Sequence, residues 1–351
     1  MKKTVLTLGL VLFSVVALAQ NLKPASGSNV EITTLSQPLN SNTNTLPGTS
    51  SSSPRQFSPN GVVRCYTAEH HKEMQQNRLA PTDDVFENWI APKIQELKNA
   101  RLANPNQTHA VITIPVVVHV IHNGDVYGTG ENIRDEQVLS QIQVMNEDFR
   151  RIVGTPGFGA GVDVEIEFCL AQSDPNGNPT TGINRVNLGI ASWDRANVEG
   201  NLKPNTSWDP NNYLNMWTCR FGGDLNGVLG YAQFPSASGL AGMPANGGGA
   251  GTDGVIMAFN AFGSSDIYPA GSYLAPYDKG RTTTHEVGHW LGLRHIWGDG
   301  NCTVDDFCAD TPTAAAPNYN CVLVNSCNDG PGDLPDQVEN YMDYTNDTCM
   351  N

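Results

Sequence analysis

The eleven residues His285-Glu286-Val287-Gly288-His289-Trp290-Leu291-Gly292-Leu293-Arg294-His295 constrain this chain more than any other stretch. On a helix, His285 and His289 stand four residues apart, so both imidazoles leave one face close enough to share an ion. Glu286 follows the first histidine directly, and its carboxylate leans to the same side without facing the ion squarely. That placement suits a base acting on water better than a ligand. Gly292 can take a left-handed conformation that stops the helix and turns the chain, so that His295 swings back as a third ligand. Three neutral imidazoles and a fourth position left for water describe a catalytic zinc centre, whereas a structural one is closed by four protein ligands, often thiolates. A lone His-Glu-x-x-His can be an ion-paired surface pattern, but the added glycine and third histidine are hard to meet by accident.

The 351 residues offer material for one large domain or two modest ones. Lys and Arg number 20 against 35 Asp and Glu, a net charge of -15 that argues against nucleic acid or anionic membrane as a partner. The apolar run from Thr4 to Ala19 follows Lys2 and Lys3 and ends in Ala17-Leu18-Ala19. It reads as a secretory signal over residues 1–19, too short to span a membrane comfortably. A secreted protein, periplasmic or extracellular, is expected, with no membrane span once the signal is gone. Export makes cysteines readable as disulfide candidates. They are Cys65, Cys169, Cys219, Cys302, Cys308, Cys321, Cys327 and Cys349; five crowd into the last fifty residues, where Gly, Asp, Asn and Pro leave little apolar pattern to hold the chain.

Residues 20–60 are dominated by Ser, Thr, Asn, Pro and Gly and read as a disordered leader. Residues 61–105 carry apolar positions at helical spacing, among them Val85, Trp89, Ile90, Ile94 and Leu97, and end in a polar boundary between Asn99 and Thr108. A continuous apolar strand runs from Val111 to Ile121; His119 in it and His122 just beyond read as packing and strand-end polarity, because the ligand set is complete without them. Asp135 to Arg151 is an amphipathic helix that should cover one sheet face through Val138, Ile142, Met145 and Phe149. Val162 to Phe168 alternates apolar and acidic residues, a strand with solvated acids on its outer face. Tyr213 to Cys219, Val228 to Phe234 and Val255 to Phe259 read as further strands, and Ser236 to Gly254 as a loop. The motif helix should begin near Arg281 or Thr282 and turn Val287, Trp290 and Leu291 to the core. Beyond it, Asp305, Asp306, Asp310 and Thr311 collect oxygen donors, either as a calcium cage or as a solvated acidic loop.

Taken with Asn340-Tyr341-Met342-Asp343-Tyr344, the histidine motif resembles the metzincin clan of zinc endopeptidases and, within it, the pappalysin family. The likeness runs from about Ile112 to Asn351, with weaker support from Ile114-Pro115-Val116-Val117-Val118-His119-Val120, Glu147-Asp148-Phe149-Arg150, Tyr213-Leu214-Asn215-Met216-Trp217 and Thr252-Asp253-Gly254-Val255. It implies an α/β (α+β) catalytic domain over residues 106–351: a twisted mixed sheet, an active-site helix and an irregular, disulfide-linked lower subdomain. It implies that Met342 floors the zinc site, that Tyr344 steadies the tetrahedral intermediate, and that Glu286 is the general base.

The same resemblance pairs Cys321 with Cys349 and Cys327 with either Cys302 or Cys308, which leaves Cys169 and Cys219 as a pair tying two strands. It makes residues 61–105 a pro-segment, in which Cys65 can close the zinc site as a thiolate; a disulfide to an odd downstream cysteine is the alternative. It raises calcium at the acidic loop. It nominates Gly230-Tyr231-Ala232-Gln233 as the edge strand that binds the substrate main chain. Relatives of this kind cut before basic residues, which asks for an acid in the pocket, and Asp347 is the candidate. Since the family domain continues past its last cysteine into another helix, a chain cut short at Asn351 is expected. The expected function is a secreted zinc endopeptidase made as a zymogen and acting on proteins or peptides. The rival is a secreted binding or adhesion protein that zinc only stabilises, for which Glu286 would be redundant.

Overall fold

The apolar run that dominates the middle of the chain becomes strand β1 (Ile112–His122), and the sheet is built around it. The computed structural model describes residues 55–104, 110–243, 249–328 and 330–351. The signal, most of the leader and part of the expected boundary before Thr108 lie outside the described residues.

On one side β1 pairs in parallel with β2 (Ile166–Leu170) and then, further along, with β3 (Ile183–Asn187). On the other side it pairs in parallel with β4 (Leu214–Cys219). Strand β6 (Val255–Ala258) continues the parallel set beside β4, and the short β5 (Gly230–Ala232) closes the edge as its antiparallel neighbour. Parallel strands are stable when both faces are covered, and Val116, Val117, Val118 and Val120 of β1 are fully buried. One face is covered by α3 (Asp135–Phe149) through Val138, Ile142, Met145 and Phe149, together with Val287, Trp290 and Leu291 from the motif helix region. The opposite face packs Trp217, Tyr231 and Ile256 under a short helical run, Arg195–Asn197, Val198–Leu202 and Lys203–Thr206.

Two helices precede the sheet. Helix α1 (Thr67–Gln76) lies near β5, and α2 (Asp83–Ala103) packs Phe86, Ile90 and Ile94 around Phe234, just beyond that strand. After the motif helix α4 (Arg281–Trp290) no further regular element forms among the described residues. That lower part is cross-linked by Cys302–Cys327 and Cys321–Cys349.

Several sequence expectations are corrected. The strand expected from Val162 starts only at Ile166, because Glu165 takes a left-handed φ of 60°. Residues 55–60, expected to be disordered, are held against the domain: Arg55 donates to the Asp224 carbonyl, and the Tyr277 hydroxyl donates to Asn60 at 3.5 Å. Strand β3 and the helical run near residue 200 were not foreseen, since Ile183–Asn187 carries only two large apolar residues.

The expected Cys169–Cys219 disulfide is not formed, and both residues are free thiols, as are Cys65 and Cys308. The register gives the reason. Cys169 lies opposite Pro115 in β1, whereas Thr218, the neighbour of Cys219, lies opposite Val120 on the other flank of the same strand. β1 thus separates them, and the offset along the strand is roughly 20 Å at about 3.3 Å per residue, far beyond disulfide reach. Alkylating the folded, unreduced protein before peptide mapping should therefore label the exposed Cys169 and return Cys302–Cys327 and Cys321–Cys349 as linked peptides. Recovery of a Cys169–Cys219 peptide would contradict this register.

Candidate metal centre

Helix α4 is anchored before it presents anything. It starts after Gly280, whose φ is 85°, and its first turns are fixed to α3 by an Arg281–Asp148 ion pair at 3.0 Å and a Thr284 hydroxyl donating to Asp148 at 2.7 Å. Trp290 donates its indole N–H to Asp253 at 2.8 Å. Gly292, at φ 101°, ends the helix: its N–H donates to the His289 carbonyl and the next N–H to the Gly288 carbonyl. The chain then turns so that His295 faces back towards His289.

Each imidazole is fixed through its Nδ1. His285 donates to the Tyr341 carbonyl at 2.6 Å, His289 to the Leu293 carbonyl at 2.8 Å, and His295 is held by the Asp299 carboxylate at 2.5 Å. A carbonyl only accepts, so Nδ1 of His285 and His289 carries the proton and Nε2 a lone pair. Burial holds His285 well below its ordinary pKa and brings His289 down to about 3. The three Nε2 atoms nevertheless converge, His289 lying 3.1 Å from His285 and 3.0 Å from His295. Lone pairs so placed repel one another unless a cation lies between them. Nitrogen ligands of one tetrahedral zinc stand roughly 3.3 Å apart, so the set fits that ion.

The fourth corner is filled from the N-terminal segment. Cys65 is buried, and its Sγ and the three histidine donors all lie within 4.8 Å of one another. Among the described residues no other group of three or more His, Cys, Asp or Glu is so gathered. Glu286 sits beside this corner, fully buried. Its Oε2 accepts from the Thr67 hydroxyl at 2.8 Å and from the Cys65 thiol at 3.4 Å, while Oε1 is left without a hydrogen bond. Burial pushes this carboxyl up to about 7, against the hydrogen bonds from Thr67 and Cys65. A Cβ at Gly230 would meet the Glu286 side chain at 3.0 Å, so β5 leaves the carboxylate its room by lacking one. Tyr344 packs its ring against His285 and His295 and donates its hydroxyl to the Cys65 carbonyl at 3.4 Å.

Met342 lies beneath the helix, with its Sδ 2.5 Å from where a Cβ would sit on Gly288. A larger residue at Gly288 would need Met342 to shift, a constraint that ligand spacing alone does not reveal. Asp347 is buried and belongs to a different neighbourhood. It pairs with Arg64 at 2.7 Å, both side chains being fully buried, and accepts the backbone N–H of Lys279 at 2.8 Å. Arg64 also donates to Thr282 and lies over the Tyr277 ring. His119 is remote, stacked on Trp217 and hydrogen-bonded to Asn215 and Asn184.

The residues expected to bind calcium lie in one neighbourhood, where burial pushes the Asp306 carboxyl up to about 7, with Thr311 hydrogen-bonded to it and Asp305 and Asp310 adding to the rise, but their donors do not gather as a metal-holding group among the described residues. Asp305 and Asp306 instead accept backbone N–H groups two residues on, from Phe307 and Cys308, and the Thr311 N–H bonds the Cys308 carbonyl. Cys308 is a free thiol, and Cys302 is the partner of Cys327.

Asp299, four residues beyond His295 and bonded to it, is a residue that sequence reasoning passed over. A carboxylate on the far nitrogen of a ligating histidine fixes its tautomer and raises its basicity. Asp299→Ala should weaken zinc binding by about 10–100-fold in competition with a chromophoric chelator, with Asp299→Asn losing less. An alanine variant with the parent's zinc affinity would remove this role.

Comparison with known proteins agrees with this geometry. The profile of the peptidase family described as pregnancy-associated plasma protein-A matches residues 199–351. An extracellular metalloprotease of Colletotrichum graminicola is 33% identical over 243 residues, covering 68% of this chain and 71% of that protein. One from Coccidioides posadasii is 32% identical, covering 69% and 72%. Among solved structures, mature mirolysin of Tannerella forsythia in complex with a cleaved peptide aligns with a TM-score of 0.57 at 41% identity, over 70% of this chain and 87% of that one. A promirolysin mutant from the same organism aligns with a TM-score of 0.59 at 37% identity, over 82% and 88%. With relatives this similar over most of their length and a buried three-histidine centre to match, the chain belongs to the pappalysin family of metzincins, zinc endopeptidases that are secreted and made as zymogens.

Proposed function

We propose that residues 61–105 are the pro-segment of this zymogen, that residues 106–351 are its catalytic domain, and that the enzyme cuts peptide chains before basic residues. The observation that carries the reading is the placement of Cys65. Its Sγ stands at the fourth corner of the histidine set, and its neighbours engage the groups that peptide hydrolysis needs.

Zinc held by His285, His289 and His295 supplies a Lewis acid for the scissile carbonyl and lowers the pKa of the attacking water. Glu286 takes the proton from that water as its oxygen bonds to the carbonyl carbon. As the C–N bond breaks, the same carboxyl returns the proton to the leaving amine. The free Oε1 and the room left by Gly230 suit a carboxylate that must shuttle a proton. Tyr344 donates its hydroxyl to the developing oxyanion, and its present bond to the Cys65 carbonyl is the ground-state counterpart of that contact. Met342 supports the ligand face of α4 from below. In the zymogen the Cys65 thiolate would hold the fourth position of a zinc bound there, and a site closed by four protein ligands has no place for water.

The pro-segment also marks where substrate lies. Val63 pairs in parallel with Val228, Tyr66 donates its N–H to the Gly230 carbonyl, and the Ala232 N–H donates to the Thr67 hydroxyl. The edge of β5 thus accepts an extended chain, as β-augmentation requires. Arg64 enters the Asp347 pocket at the 227–230 end of that edge. A substrate running antiparallel to β5 puts its C-terminal half there, so a basic residue after the scissile bond takes the place of Arg64.

Glu286→Ala should keep its zinc while kcat on peptides cleaved by the matured enzyme falls by about 10²–10⁴-fold; near-parent turnover would sink the general-base assignment. Asp347→Ala should abolish the preference for Arg or Lys after the scissile bond without loss of zinc. Mass spectrometry of a digested peptide mixture reads this directly, and continued selection of Arg would refute the pocket.

A further inference from the structure

The pro-segment makes a second set of charged contacts at the other end of the cleft. Arg294 immediately precedes the ligand His295, and its side chain is 10% exposed. Its guanidinium lies 5.1 Å from the Phe234 ring centre and 5.2 Å from that of Phe307, so two aromatic rings fix its position. Among the described residues its ion pairs are to Glu87 at 3.1 Å and Asp83 at 3.4 Å, both on α2. Between those two acids, Phe86 presses on Gly292 and stacks edge-on against Phe234.

This arrangement is continuous with the metal centre. A cavity of about 310 Å³ is lined by Arg294, Phe234, His289, Asp299 and Tyr344, with Asp83 among the pro-segment residues that cap it. Asp299 lines the same cavity, but its carboxylate is engaged by His295. Removing the pro-segment takes away both carboxylates that pair with Arg294 and leaves a cation between aromatic rings beside the metal.

We infer that in the mature enzyme Arg294, with Phe234, forms a subsite for an acidic side chain of the substrate, on the opposite side of the metal from Asp347. This rests on the reading of the cleft given above. Phe234 follows the C-terminal end of β5, whereas Arg64 enters at the strand's N-terminal end. In an antiparallel substrate the acid therefore lies N-terminal to the scissile bond and the base C-terminal to it. Strand rise places the two roughly three to five residues apart. The pro-segment presents both charges with the sign the cleft requires, Arg64 to Asp347 and Asp83 with Glu87 to Arg294. It reaches Arg294 from a helix rather than along the strand edge.

The test uses the matured enzyme and quenched peptides with Arg after the scissile bond and Glu, Ala or Lys at each of the four positions before it. At one or two adjacent positions, kcat/KM should be about 3–10-fold higher for Glu than for Lys, and the ratio should shrink as salt is raised. Arg294→Ala should bring that ratio to about one, Arg294→Glu should invert it, and Arg294→Lys should keep its direction. Each variant is scored on the ratio of two peptides, so a general loss of activity does not blur the result. If Arg peptides are cleaved with no preference at any of these positions, or if Arg294→Ala retains the preference, the acidic subsite is overturned while the Asp347 reading stands. If no Arg-containing peptide is cut in preference to its Ala counterpart, the failure belongs to the Asp347 reading instead.

Discussion

Three imidazole lone pairs point at one buried place, where the Cys65 sulfur meets them. Carbonyl acceptors fix the tautomers of His285 and His289, and Asp299 holds His295, so the convergence of the three Nε2 atoms is imposed from outside the ring set. The backbone that imposes it comes from three separate places: the turn after Gly292, the loop bearing Asp299, and the Tyr341 carbonyl beside Met342. Two disulfides cross-link the chain beyond Asp299, and the Arg281–Asp148 pair ties α4 to α3. Electrostatic repulsion among the ligands is therefore built into the fold, and a divalent ion relieves it.

How much of this was legible depends on how local the cause is. The ligand triad and Glu286 could be read because their geometry follows from helix periodicity and one glycine. Strands β1, β4 and β6 were legible because parallel strands buried on both faces leave near-continuous apolar runs. Strand β3 left no such run, and β2 was drawn too long because alternation at 162–168 does not reveal the left-handed Glu165. The Cys169–Cys219 pairing failed for a topological reason, since two cysteines on strands look equally joinable until the strand between them is known. Asp299, Gly288 and Arg294 were missed because each acts through a residue far off in the chain or through a ligand's second nitrogen, and residue type alone says nothing of that.

The N-terminal segment holds the cleft by several contacts of different kinds, and their distribution bears on how latency ends. Cys65 meets the metal corner, Arg64 makes an ion pair with Asp347 in which both side chains are fully buried, and α2 adds an apolar cluster around Phe234 with the Arg294 pairs at its rim. Breaking a buried pair by removing one partner is strongly destabilising, on the order of 3–5 kcal/mol, because a bare charge stays behind. Withdrawing Arg64 from Asp347 is different. Both charges regain water, or the acid meets a substrate arginine, so release is penalised far less than deletion of one partner. A single cut in the chain beyond α2 breaks none of these contacts, so a nicked complex rather than an open enzyme is its expected product. Opening the cleft requires that the main-chain bonds of Val63, Tyr66 and Thr67 to the β5 edge be lost together with the side-chain anchors.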